Sequence, residues 1–108
     1  MSTRVGGTDI ETVADEPTVG VGVELVGLSM ARAGVARSQM SLPEGATVVD
    51  AVERLADKHG APVRPALLRG SRIRQDTVAR RRSGSDWERI SGNETLTHGD
   101  RIRFEVSD

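Results

Sequence analysis

Cysteine and tyrosine are absent from this chain, and phenylalanine and tryptophan occur once each, as Phe104 and Trp87. Without thiols there is no disulfide, no thiolate metal site and no cysteine nucleophile, and the redox compartment stays open. Without rings, the core has to be assembled from Val, Leu, Ile, Ala and Met. No run approaches the roughly 20 apolar residues that a membrane-spanning helix needs, and the first residues lack the apolar centre of a secretory signal. A cytoplasmic protein with no membrane association is therefore expected. The histidines, His59 and His98, have no second ligand at metal spacing. There is no Ser/His/Asp set and no phosphate-cradling glycine loop at a strand-to-helix junction. The carboxylates Asp50, Glu53 and Asp57 read as a solvated helix surface rather than a catalytic pair. No catalytic residue, metal site or cofactor is expected.

What is present fits one small domain: 108 residues, 36% apolar and 29% charged. The net charge of -1 conceals a zoning along the chain. Residues 1–24 carry Asp9, Glu11, Asp15, Glu16 and Glu24 against Arg4 alone. Between Arg69 and Arg82 the sign reverses, with Arg69, Arg72, Arg74, Arg80, Arg81 and Arg82 against Asp76. Residues 1–17 have no sustained apolar period and are expected to be a disordered acidic lead-in to a domain over 18–108. Its charge would suit it to screen the arginine-rich segment.

Val19, Val21, Val23 and Leu25 alternate with Gly20, Gly22, Glu24 and Val26, which predicts a strand with one buried face. After a turn over Met30–Gly34, Ala36, Met40 and Leu42 share one parity, and Arg37, Gln39 and Ser41 the other, until Pro43 ends a second strand. Thr47 and Asp50 are spaced as a capping box, and Val48, Ala51, Val52, Leu55 and Ala56 form the stripe of an amphipathic helix. Lys58 and His59 suit its C-terminal end, Gly60 a left-handed cap, and Pro62 a stop. Ala66–Leu68, an Arg69-Gly70 turn and Ser71–Arg74 predict a second hairpin. Residues 75–93 are polar and punctuated by Gly and Ser, and so are expected to form a long arginine-rich loop, with a helical turn near Asp86–Arg89. Beyond the Thr97–Asp100 turn, Ile102, Phe104 and Val106 alternate with Arg101, Arg103 and Glu105 as the last strand.

A single amphipathic helix covers one face of a sheet, and its crossover lets the first and last strands lie parallel. The ββαβββ order thus predicts an α+β fold, a β-grasp with a mixed sheet of four to five strands covered by one helix. Three segments carry a more particular likeness: Leu42-Pro43-Glu44-Gly45-Ala46-Thr47-Val48, Leu67-Leu68-Arg69-Gly70, and Thr95-Leu96-Thr97-His98-Gly99-Asp100-Arg101-Ile102. In order and spacing they resemble the ubiquitin-like family of the molybdopterin-synthase small subunit and the thiamine sulfur carrier (MoaD/ThiS-like). The resemblance implies a C-terminal Gly-Gly whose carboxylate is adenylated by an activating enzyme and converted to a thiocarboxylate. Here the last glycine is Gly99, and the C-terminal tail reads Val106, Ser107, Asp108. The expectation is therefore a module that keeps the fold and acts through its surface, as a small accessory subunit docking on a larger enzyme. The alternatives are a sulfur carrier or protein modifier activated at its C-terminus and, more weakly, a nucleic-acid-binding accessory protein.

The candidate partner-binding residues are Arg69, Arg72, Arg74, Arg80, Arg81, Arg82, Trp87 and Arg89. Arginine offers a rigid fork to carboxylates or phosphates, although a solvated loop would carry the same charges. A triple arginine without interleaved aromatics disfavours nucleic acid as the partner. Trp87 reads either as an interface anchor or as a lid over a small core.

Overall fold

The computed structural model describes residues 17–106, so the acidic lead-in apart from Pro17, together with Ser107 and Asp108, lies outside the described residues. Strand β1 (Thr18–Leu25) buries Val19, Val21, Val23 and Leu25, as its alternation requires. The expected turn after it is a short helix, α1 (Gly27–Ala33). Leu28, Met30, Ala31 and Arg32 are good helix formers, and Gly34 closes the helix at φ 76°, its N–H donating to the Met30 carbonyl. Strand β2 (Arg37–Pro43) returns antiparallel to β1, with Met40 and Leu42 inward.

Helix α2 (Val48–His59) starts on the capping box: the Thr47 hydroxyl accepts from Asp50 N–H, and Asp50 Oδ2 accepts from Thr47 N–H at 2.9 Å. Two further first-turn donors are satisfied from a distant loop, because Val48 and Val49 N–H bond the carbonyls of Glu94 and Gly92. Val48, Ala51, Val52 and Leu55 are buried. Gly60 has positive φ but not a left-handed cap geometry (φ 108°, ψ -178°), and Pro62 begins rather than prevents helix: it caps the unforeseen α3 (Val63–Leu67). The second hairpin exists as β3 (Leu68–Arg69) and β4 (Arg72–Ile73), but as a separate two-stranded sheet.

The largest departure from expectation lies in residues 75–93. Instead of a loop with a helical turn, the chain forms β5 (Thr77–Ser83) and β6 (Asp86–Ile90), an antiparallel hairpin closed by Gly84 at φ 63°. The segment hides its strands because arginines occupy both faces of β5, leaving no apolar alternation. Strand β7 (Arg101–Val106) then inserts between β1 and β5, parallel to β1 and antiparallel to β5. The main sheet is mixed and five-stranded, in the order β2-β1-β7-β5-β6, and the fold is an α+β β-grasp. Its helical side is closed by α1, α2 and α3, which cover the Val and Leu rows together with Ile102 and Phe104, both fully buried. Among the described residues the other side carries no helix.

Candidate interaction surface

Strand parity assigns the open face. With Met40, Val23, Phe104 and Ala79 facing the core, the alternate positions point outward, and the strand registers line them up. One row crosses the sheet as Arg37–Glu24–Arg103–Arg80–Arg89, one residue from each of the five strands. Beside it runs Gln39–Gly22–Arg101, and Arg82 pairs with Trp87 toward the same end of β5 and β6. Three of the five residues in the first row, Arg103, Arg80 and Arg89, are like-charged immediate neighbours on adjacent strands. That arrangement works against sheet pairing.

The face offsets part of this repulsion. Arg80 Nε donates to Glu105 at 3.4 Å, and Arg103 Nη2 lies 3.6 Å from a Glu24 carboxylate oxygen. The Arg103 guanidinium also lies under Trp87, 4.2 Å from the ring centroid, an arrangement in which the ring face attracts the cation. Its Nε is buried and has no hydrogen-bond partner among the described residues. Among the described residues no carboxylate forms an ion pair with Arg37, Arg82, Arg89 or Arg101. Between Trp87 and β2 the surface dips into a groove of about 330 Å³, lined by Gly22, Glu24, Arg37, Ser38, Gln39, Trp87 and Arg101. Gly22 keeps it open: a Cβ there would come within 2.9 Å of the Gln39 side-chain nitrogen.

The residues singled out in the sequence divide into three groups. Arg80, Arg82, Trp87 and Arg89 share the open face. Trp87 is half-buried over Arg103 and does not belong to the core, so the reading of it as a core lid is corrected. Arg81 has the opposite parity and clamps the turn before β7, reaching the Thr95 carbonyl, Glu94 and Asp100 at 3.3–3.6 Å. It serves the fold rather than the open face. Arg69, Arg72 and Arg74 belong to the β3–β4 hairpin and the turn after it, apart from the main sheet. Arg74 donates to Asp76 and to the Pro65 carbonyl, and Arg32 reaches Asp76 from α1. These contacts hold the Asp76 carboxyl well below the usual carboxylate range, first through the Arg74 hydrogen bond and then through that of Arg32. Val106 ends β7 opposite Thr77.

Sequence reasoning missed Arg37, Arg101 and Arg103. Their signal was present, since each has the outward parity of its strand, but they are scattered along the chain and only the sheet gathers them. His98 bonds the fold together, its Nδ1 accepting from Gly20 N–H at 2.9 Å. Among the described residues no three His, Asp or Glu side chains cluster to hold a metal, and no helix is long and apolar enough to cross a membrane.

No family model matches the chain, and no curated protein matches it by sequence. Solved structures do. Small archaeal modifier protein 1 of Haloferax volcanii is 19% identical over 83% of this chain and 99% of its own, with a TM-score of 0.64. The HVO 2177 protein of the same organism is 16% identical over 96% of this chain and 97% of its own, with a TM-score of 0.69. A putative molybdopterin converting factor, subunit 1, from Pyrococcus furiosus is 22% identical over 83% of this chain and 99% of its own, at 0.57. At such identities the likeness is one of fold, and the chain has the ubiquitin-like β-grasp fold.

Proposed function

We propose that this chain is a non-catalytic ubiquitin-like interaction module, a small accessory subunit that docks on a larger enzyme through the open face of its sheet. The observation that carries this reading is the Arg37–Glu24–Arg103–Arg80–Arg89 row. Like charges set directly opposite one another destabilise a sheet, and a partner surface of opposite sign would neutralise them. The groove beside Trp87 adds a recess for an anchoring side chain, and aromatic and arginine side chains are the groups that dominate protein interfaces. A photo-crosslinking residue placed at Arg101 in cells should recover a larger enzyme subunit, whereas the same residue at the exposed Arg54 of α2 should not. Equal labelling from both positions would remove the sheet face from the reading.

A second reading draws on the neighbours, whose names describe a small protein modifier and a molybdopterin converting factor. It makes this chain a sulfur carrier or protein modifier activated at its C-terminus by an adenylating enzyme. Incubation with ATP, a sulfide source and candidate activating enzymes, followed by intact-mass measurement, separates the two. An unchanged mass favours the docking module, and an adenylate or thiocarboxylate on the terminal residue favours the carrier.

A further inference from the structure

The docking reading leaves open what chemistry the sheet face recognises. We propose that the groove between Trp87 and β2, with the arginine row beside it, binds an extended acidic segment of a protein partner. One apolar side chain of that segment enters the groove, and its carboxylates lie on Arg37, Arg101 and Arg89. This rests on the docking reading and specifies its partner.

Size, charge and rigidity point the same way. At about 330 Å³ the groove is at the low end of ligand cavities, with room for an anchoring side chain. Its wall is Trp87 and its rim is Arg37, Ser38, Gln39 and Arg101 with Glu24 among them, a recess of mixed polarity in which the cationic groups outnumber the one acid. The row beside it spans four interstrand steps, roughly 19 Å, which an extended segment of about six residues matches. Trp87 is already stacked on Arg103, and Arg103 is held from the other side by Glu24, so little ordering remains for the moment of binding.

The same features argue against nucleic acid. A single tryptophan offers one stacking platform rather than the series that single-stranded nucleic acid uses.

Trp87 is the only tryptophan of the chain, so the intact protein reports on its own groove by fluorescence. The probes are the heptapeptide Glu-Glu-Glu-Leu-Glu-Glu-Glu, its counterpart with glutamine for each glutamate, and oligothymidylate. The acidic peptide should give a saturable change in Trp87 emission that weakens with added salt. Arg37→Glu and Arg101→Glu should each reduce its affinity about tenfold or more, with unchanged thermal unfolding, while Arg54→Glu on α2 should leave it unaltered. Equal affinity for the glutamine peptide, tighter binding of oligothymidylate, or indifference to both face substitutions would overturn the proposal. An enzyme cross-linked at position 101 together with no response to the acidic peptide would leave the docking module standing and remove only the chemistry assigned to its groove.

Discussion

The two faces of the main sheet are built from the same five strands on opposite terms. The face under the helices is lined by almost wholly buried side chains, chiefly the Val, Leu, Ile and Phe of β1, β2 and β7, with Ala79 of β5 beside them and the partly buried Ile90 of β6 packed against the edge. The open face carries Arg37, Arg80, Arg82, Arg89, Arg101 and Arg103 against Glu24 and Glu105. Burial decides the first, since every methylene removed from water contributes roughly 0.8 kcal/mol. No comparable folding term accounts for the second, where neighbouring guanidinium groups repel. Stability is concentrated on the helical side of the sheet.

The sharpest way to test that division is to cut into the helical side. Leu55→Ala removes a fully buried side chain from α2 and should cost about 2–5 kcal/mol in denaturant unfolding. A loss under about 0.5 kcal/mol would be the behaviour of an exposed site and would count against the packing described. Arg81→Ala tests the one arginine of the triplet that faces the other way. It should cost about 1–2 kcal/mol, because it strips partners from Glu94, Asp100 and the Thr95 carbonyl.

Asp76→Asn probes the junction where α1 and the turn before β5 meet. A carboxylate whose folded pKa is depressed adds stability above its unfolded value of about 3.9, and that stability is lost as pH falls through the folded value. Wild type should therefore exceed the variant by a constant margin at neutral pH, and the margin should shrink below about pH 4. A margin that persists undiminished in strong acid would trace the effect to shape rather than charge. The smallest effect is expected from Arg89→Glu, which places an acid opposite Arg80. Stability should stay within about 0.5 kcal/mol of wild type or rise slightly, while acidic-peptide binding falls. A clear destabilisation would show that Arg89 belongs to the fold after all.

The contrast between faces also explains what the sequence disclosed. Strands β1, β2 and β7 and helix α2 were legible because each pairs a buried apolar parity or stripe with a polar one, and the parallel approach of the first and last strands followed from the helix crossover. The β5–β6 hairpin was not. Its inward parity holds Thr77, Ala79 and Arg81, and its outward parity Val78, Arg80 and Arg82, so neither reads as apolar. Only Gly84, in the Ser83-Gly84-Ser85-Asp86 turn, marked it. The open face was legible in part for a related reason. Arg80, Arg82, Trp87 and Arg89 stood out because they are clustered in sequence, whereas Arg37, Arg101 and Arg103 become neighbours only through strand order.

The seating of β7 between β1 and β5 has a consequence for how the molecule is made. Two hairpins, β1–β2 and β5–β6, can each form locally, but neither can join the other until the intervening strand arrives, and β7 is the last of the described elements to be synthesised. During translation the inner edge of β1 is therefore an open ladder of backbone donors and acceptors beside a row of valines, with its natural occupant still to be made. Such long-range closure slows folding and leaves strand edges exposed in the nascent chain. The sheet cannot be completed without β7, which brings Ile102 and Phe104 into the core and joins the arginine row on the opposite side.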